Sequence, residues 1–227
     1  MIVTIDGPAG AGKSSVAKRL AAEIGFNFLD TGAMYRCVTL ACLRRHLPLD
    51  HSDDVASIAR MVQIELTGPR VFLDGEDVSQ EIRRPSITKS IRHIADNPLV
   101  RQSMVDMQRK WSDGRDVVTE GRDQGTVAFP SAECKIFLTA SSEERARRRV
   151  VQLIELGMDA DFHDILEQQN RRDADDTKRE LGGLRLASDS IKILTDGMSE
   201  EQVLQHLIEI VQGKQLSLSG RMQSKCP

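Results

Sequence analysis

The sequence predicts an α/β fold in which a five-stranded parallel sheet is covered on both faces by helices. Three observations predict it. Short β-branched or aromatic apolar segments alternate with amphipathic helical ones along the chain. Those segments are continuous apolar runs, the pattern of strands buried on both faces. A glycine-rich turn joins the first strand directly to the first helix, as in phosphate-binding strand–loop–helix units.

The elements follow in order. Ile2 to Ile5 is apolar and β-branched, a first strand. From Ser14 the period changes: Val16, Leu20, Ala21 and Ile24 fall on one helical stripe, and Gly25 is placed to stop it. Phe26 to Leu29 is a second strand. Met34 to Arg45 has a helical pattern, with Pro48 just beyond it. The rhythm then breaks. Val62 to Leu66, Val71 to Leu73 and Glu76 to Val78 are short strand-like runs, punctuated by Thr67-Gly68-Pro69 and Asp74-Gly75. They read as a small antiparallel insertion, the alternative being a surface hairpin on the same domain. Helical pattern resumes at Ile87–Ile94 and Leu99–Trp111. Val117 to Thr119 and Ile136 to Leu138 are buried-type strands. Ser142 to Leu156 is a long helix with Ser142 as N-cap and Glu143 and Glu144 in its first turn. Phe162 to Arg179 is a polar helix, Ile191 to Leu194 a last strand and Glu200 to Val211 a last helix. From Lys214 the chain is rich in Ser, Gln and Lys and reads as a mobile tail.

Composition narrows the function classes. Of 227 residues, 40% are hydrophobic and 29% charged, ordinary for a globular enzyme and wrong for a disordered chain. Lys plus Arg (31) nearly balance Asp plus Glu (34), so a basic nucleic-acid sleeve is not the default. Cys37, Cys42, Cys134 and Cys226 form no C-x-x-C pair and the histidines are scattered, which disfavours zinc and suits reduced thiols. The first residues already read as a strand. No charged leader, cleavage signal or bilayer-length apolar run is present, so the expectation is a cytoplasmic chain, complete from its first residue, with no membrane partner.

Gly7-Pro8-Ala9-Gly10-Ala11-Gly12-Lys13-Ser14 matches G-x-x-x-x-G-K-[ST] in full. Glycines let successive main-chain N–H groups converge on one point, and the start of the following helix adds a positive field. Lys13 supplies a mobile charge for the β and γ phosphates, and Ser14 an oxygen for Mg²⁺. Segment Gly7–Ser15 is therefore expected to hold a nucleoside triphosphate with magnesium. An N-K-x-D base-reading motif and a D-x-x-G switch are both absent, which argues against a GTPase. A motor or transporter ATPase is disfavoured by length and by the lack of an apolar strand ending in Asp. Small-molecule kinases remain.

Charged residues cluster where strands end. Asp30 follows the second strand and precedes Thr31-Gly32-Ala33-Met34-Tyr35-Arg36. Glu120-Gly121-Arg122-Asp123-Gln124-Gly125-Thr126 follows the strand at Val117. Strand carboxyl ends are where such sheets bind ligands. Arg36 and Arg101 are candidates for a second anion. Arg145, Arg148 and Arg149 share one helix face, as do Arg172, Asp176 and Arg179. Each arginine alone reads more simply as a solvated or salt-bridged side chain, with Glu143, Glu144, Asp173 or Asp175 as partners. Several converging beside a phosphate loop fit phosphoryl transfer, whose transition state spreads negative charge over the γ-phosphoryl oxygens.

Together these motifs resemble the bacterial cytidylate kinase family of nucleoside monophosphate kinases. The carriers are Ile5-Asp6 with the phosphate loop, Asp30 to Arg36, Gly121-Arg122-Asp123-Gln124-Gly125-Thr126, Ala140 to Ala146, and Arg172-Asp173-Ala174-Asp175-Asp176-Thr177-Lys178-Arg179 as R-D-x-x-D-x-x-R. The resemblance spans Ile2 to about Val211. It implies a P-loop kinase core (1–57 and 98–213), an NMP-binding insertion (58–97) and a helical lid (about 155–179), with 214–227 as the tail. It implies transfer of the γ-phosphoryl of ATP to CMP or dCMP by a cytoplasmic monomer in pyrimidine nucleotide metabolism. Thr31 and Arg36 would help hold CMP, Arg101 and Asp123 would read cytosine, and Arg122 would take its phosphate. Arg172 and Asp176 would lie near the ribose, Arg179 near the transferred phosphoryl and Arg148 near ATP. Lys13, Arg122, Arg172 and Arg179 are thus the expected catalytic set. Glu120 stands where the family commonly has Asp, Thr31 where Ser is common, and Arg92 where a Ser often touches the base. Runner-up readings are a P-loop kinase for AMP, UMP or an alcohol, and a nucleotide-switched binding module. RNA binding through 145–149 is weaker, because the chain has one Trp and one Tyr for stacking.

Overall fold

The computed structural model describes residues 1–155, 157–179 and 181–223, the last three by backbone alone. The chain divides into two compact units. Residues 1–28 with 115–227 form the first, and residues 29–114 the second.

The first unit is built on a five-stranded sheet. β1 (Ile2–Asp6) lies at its centre, flanked by β6 (Val117–Gly121) and β7 (Cys134–Thr139), with β2 (Asn27–Leu29) and β8 (Ile191–Leu194) at the edges, in the order β2-β6-β1-β7-β8. β1 runs parallel to both neighbours, and β7 to β8. Helices α1 (Lys13–Ile24), α6 (Ser142–Glu155), α7 (Phe162–Lys178) and α8 (Glu200–Gln223) complete the unit. Val3, Ile5, Leu20, Val118, Ile136, Leu138 and Leu207 are sealed from solvent between sheet and helices. Parallel strands must return by crossovers, so every strand's carboxyl end faces the same edge. Asp6 and Glu120 come out at that edge.

The second unit carries the antiparallel piece. β3 (Ile64–Thr67), β4 (Arg70–Leu73) and β5 (Glu76–Asp77) form their own three-stranded sheet. Helices α2 (Thr31–Arg44), α3 (Ser52–Met61), α4 (Pro85–Asp96) and α5 (Pro98–Ser112) surround a separate core that includes Met34, Val38, Ile82, Ile94 and Met104.

Several elements differ from the sequence expectation. α3 was not foreseen: its buried stripe is Val55, Ala56 and Ala59, and alanines give a weak hydrophobic signal. The N-cap of α6 is Ser141 rather than Ser142. The Ser141 carbonyl accepts from Arg145 N–H and its hydroxyl from Glu144 N–H, whereas Ser142 Oγ donates to Glu143. α7 ends at Lys178, leaving Arg179 as its extended C-cap. α8 continues through residues 214–223, past Val211, the last buried residue among those whose side chains are described. Leu156, expected as the end of α6, and residues 224–227, including Cys226, lie outside the described residues. Among the described residues no helix is long and apolar enough to cross a membrane.

Candidate active site

The phosphate loop leaves β1 through Gly7. A side chain there would place Cβ 1.9 Å from the main-chain oxygen of Leu138 on β7, at φ +153, so only glycine lets the loop pass so close to the sheet. The loop ends at Gly12, the N-cap of α1, with φ 81 and no side-chain cap. The first N–H groups of α1 are therefore not consumed by a capping side chain, the arrangement that suits an anion. Lys13 is buried, and its Nζ donates to the Pro8 carbonyl at 2.8 Å. Burial pushes its ammonium down to about 7. The Arg122 charge acts in the same direction, while Glu120 and Asp6 oppose it. Ser14 Oγ donates to Glu120 Oε1 at 2.9 Å, and Ser15 Oγ donates back to the Gly12 carbonyl.

Asp6 organises the second loop. Its two carboxylate oxygens accept from the main-chain N–H groups of Gln124 and Gly125 at 2.8 and 2.7 Å, pinning the start of a single π-helical turn, Gln124–Ala128. Burial raises its carboxyl to about 6 despite those two bonds. The pinned loop presents Arg122 and Asp123, the latter buried. Arg122 Nε and Arg179 Nη2 each donate to Asp176 at 2.9 Å, one to either oxygen. Burial by itself would raise the Asp176 carboxyl. The Arg122, Arg179 and Arg172 charges outweigh it and hold the group below the usual range. Arg172 is exposed on α7, and its charge acts on both Lys13 and Asp176. Arg122, from the loop after β6, therefore meets Asp176 and Arg179, which the sequence placed with Arg172 on one helix face.

The α6 arginines do not act as one set. Arg145 is buried, Arg148 donates to Glu144 and to both oxygens of Thr195, and Arg149 donates to Gln152. Each has its own partner, so no shared anion is needed between them. Arg148 lines a mostly apolar pocket that continues from Ala11, Gly12 and Ser15 to Leu138 and Met198.

The remaining candidates belong to the second unit. Asp30 caps α2 by accepting from Ala33 N–H, and Thr31 is buried at the helix start. Arg36 donates to Thr88 Oγ1 and to the Ile82 carbonyl. The Arg101 guanidinium sits 5.8 Å from the centroid of the Tyr35 ring, within cation–π range. Arg92 faces Asp96 one turn along α4.

Three residues escaped the sequence reading. Asp6 and Glu120 lie in motifs quoted for other members, and only the adjacency of β1 and β6 gives them partners. Glu120 also places a carboxylate at the end of a buried strand beside the phosphate loop, where a strand ending in Asp was expected to be lacking. Asp173 appeared as one possible salt-bridge partner and within the R-D-x-x-D-x-x-R segment, with no role of its own. The Ser14 hydroxyl and the Glu120 carboxylate are hard oxygen donors, of the kind magnesium takes together with phosphate oxygens and water. Among the described residues no group of three or more His, Cys, Asp or Glu could cage a metal unaided.

The chain is similar to known proteins over most of its length. The cytidylate kinase family profile matches residues 3–213. The cytidylate kinase of Rhodopirellula baltica is 51% identical over 211 residues, covering 93% of this chain and 92% of that protein. That of Caldanaerobacter subterraneus is 46% identical over 209 residues, covering 92% and 93%. Among solved structures, an uncharacterized protein from Eubacterium ventriosum superposes with a TM-score of 0.52 at 13% identity, covering 92% of this chain and 96% of that one, a likeness of fold.

Proposed function

The chain belongs to the cytidylate kinase family, and on that premise we propose that it transfers the γ-phosphoryl of ATP to CMP or dCMP, releasing ADP and CDP or dCDP. The observation that carries the reading is the gathering, beside a complete phosphate loop, of Lys13, Arg122, Asp176 and Arg179.

The acceptor is itself a phosphate, about −1.5 to −2 charged near neutral pH, so it attacks without a general base. The difficulty is electrostatic: two polyanions must be held in line against their repulsion. The loop from Gly7 to Ser15 holds the donor's phosphates through main-chain N–H groups and Lys13, and the pocket beside Arg148 takes its base. Ser14, backed by Glu120, would hold Mg²⁺, which when bound neutralises charge on the β and γ oxygens. Arg122, Arg172 and Arg179 meet the charge that spreads over the phosphoryl group during transfer, and Asp176 keeps two of them in register until then. Thr31, Arg36, Arg101 and Asp123 are assigned to the monophosphate on the family likeness. On the same basis residues 58–97 form the monophosphate-binding segment and about 155–179 a lid. Their closure would exclude water, which otherwise hydrolyses ATP. The protein would work as a cytoplasmic monomer in pyrimidine nucleotide metabolism.

A coupled ADP-release assay with CMP, dCMP, UMP, AMP and no acceptor tests this. CMP and dCMP are expected to give the highest kcat/KM. A preference for AMP or UMP, or ADP release that ignores the acceptor, would overturn it.

A further inference from the structure

Ala9 of the phosphate loop is gripped at both ends by one ion pair. Its N–H donates to Asp173 Oδ1 at 3.3 Å, its carbonyl accepts from Arg145 Nη1 at 2.8 Å, and Arg145 and Asp173 themselves lie 2.6 Å apart. Both side chains are largely buried, 6% and 19% exposed. Arg145 Nε is further tied to the Ala140 carbonyl, and Gln169, one turn before Asp173 on α7, donates to the Arg145 carbonyl at 3.3 Å. The peptide group whose N–H Asp173 holds is also the one whose oxygen receives the Lys13 ammonium. A continuous polar chain thus runs from Lys13 through the Pro8–Ala9 peptide to α7.

The same helix carries Arg172, Asp176 and, at its C-cap, Arg179. A buried ion pair is a poor way to gain stability, since desolvation cancels most of the attraction. It does restrict geometry, because a guanidinium meeting two carbonyls and a carboxylate accepts only one placement of the helix. We infer that Arg145 and Asp173 are positioning residues that hold the arginine-bearing helix α7 in register with the phosphate loop for phosphoryl transfer. The inference rests on the phosphotransfer reading above. Asp173 already holds the Ala9 N–H, so ground-state binding of ATP falls to the loop's N–H groups beyond it and to the base pocket, whose lining holds no α7 residue. The arginines act on the acceptor and on the charge that spreads during transfer, and not on the resting hold on ATP. Loss of register therefore falls on kcat and spares KM for ATP.

The test compares wild type, Asp173→Asn and the double variant Arg145→Met/Asp173→Leu, each by steady-state kinetics with ATP and CMP and by urea unfolding. Asp173→Asn is expected to lower kcat roughly 10- to 100-fold and to change KM for ATP less than about threefold. The double variant replaces the pair by apolar side chains, a change that restores stability when a pair serves only to fill space. It is expected to fold at least as stably as Asp173→Asn yet to keep the lowered kcat. Should Asp173→Asn prove unstable, the double variant decides alone. Wild-type kcat in either folded variant would overturn the inference. A wild-type protein that makes no ADP with CMP would instead refute the phosphotransfer reading.

Discussion

Ser14 and Glu120, 106 residues apart in the chain, meet through a 2.9 Å hydrogen bond from hydroxyl to carboxylate. β1 and β6 pair in parallel, so the loop after one and the last residues of the other emerge at the same edge. Glu120 is buried there, against the loop. Its carboxylate orients the hydroxyl whose lone pair would face Mg²⁺. Glu120→Gln keeps the shape and removes the charge. The expected result is a kcat lowered about 10- to 100-fold, on the scale of losses when a metal ligand's supporting partner is removed, together with a higher Mg²⁺ concentration for half-maximal rate. Initial rates over a Mg²⁺ titration check it, and an unchanged Mg²⁺ dependence would count against the role.

Lys13 is buried and its burial pushes the ammonium down to about 7. Holding a charge there costs stability, which bound phosphates would offset. Lys13→Ala should therefore reduce kcat by at least about 100-fold while the melting temperature holds or rises. Differential scanning calorimetry beside a turnover assay reads both. A large drop in melting temperature would show that the lysine is structural.

Asp176 receives Arg122 and Arg179 on opposite oxygens, with side chains only 9 to 19% exposed. Asp176→Ala leaves two guanidinium groups facing each other without their carboxylate. The expected loss is on the order of 3 kcal/mol in urea unfolding, with kcat/KM for CMP down by about 100-fold or more. Retained activity would separate the cluster from the chemistry.

Asp6 gives a pH signature. Its carboxyl is raised from 3.8 to about 6 by burial, so between those values the folded state binds more protons than the unfolded one. Stability from this group is thus largest below the unfolded value and falls as pH rises from about 4 to 6. Asp6→Asn removes the titration. Relative to wild type, the variant should gain stability as pH rises through this window, by on the order of 2 kcal/mol, while losing one acceptor for the Gln124–Gly125 turn. Chemical denaturation at pH 4.5 and 7.5 measures the difference, and a pH-independent difference would contradict it.

Legibility from the sequence tracked the range of the forces involved. α1 and its stop at Gly25 were readable because a single apolar stripe and a glycine encode them locally; the αL cap at Gly25 accounts for the stop. The antiparallel strands announced themselves through their turns. α3 was hidden because Ala56 and Ala59 give little periodic contrast. The α6 cap slipped by one residue because Ser141 and Ser142 are chemically alike, and only the local backbone path chooses between them. The arginines of α6 could be placed on one face but not given partners, because spacing reveals who shares a face and says nothing of what lies opposite.

By itself the sequence determined that an anion-binding loop follows the first strand, since contiguous residues and their main-chain N–H groups build it. It also determined the family, through motifs spread along the chain. Which charges pair was decided only in three dimensions. Arg145 had Glu143 and Glu144 beside it, yet its partners are Asp173 and a carbonyl 136 residues away. Ion-pair strength depends on separation and on the water excluded around it, and both are properties of the packed molecule.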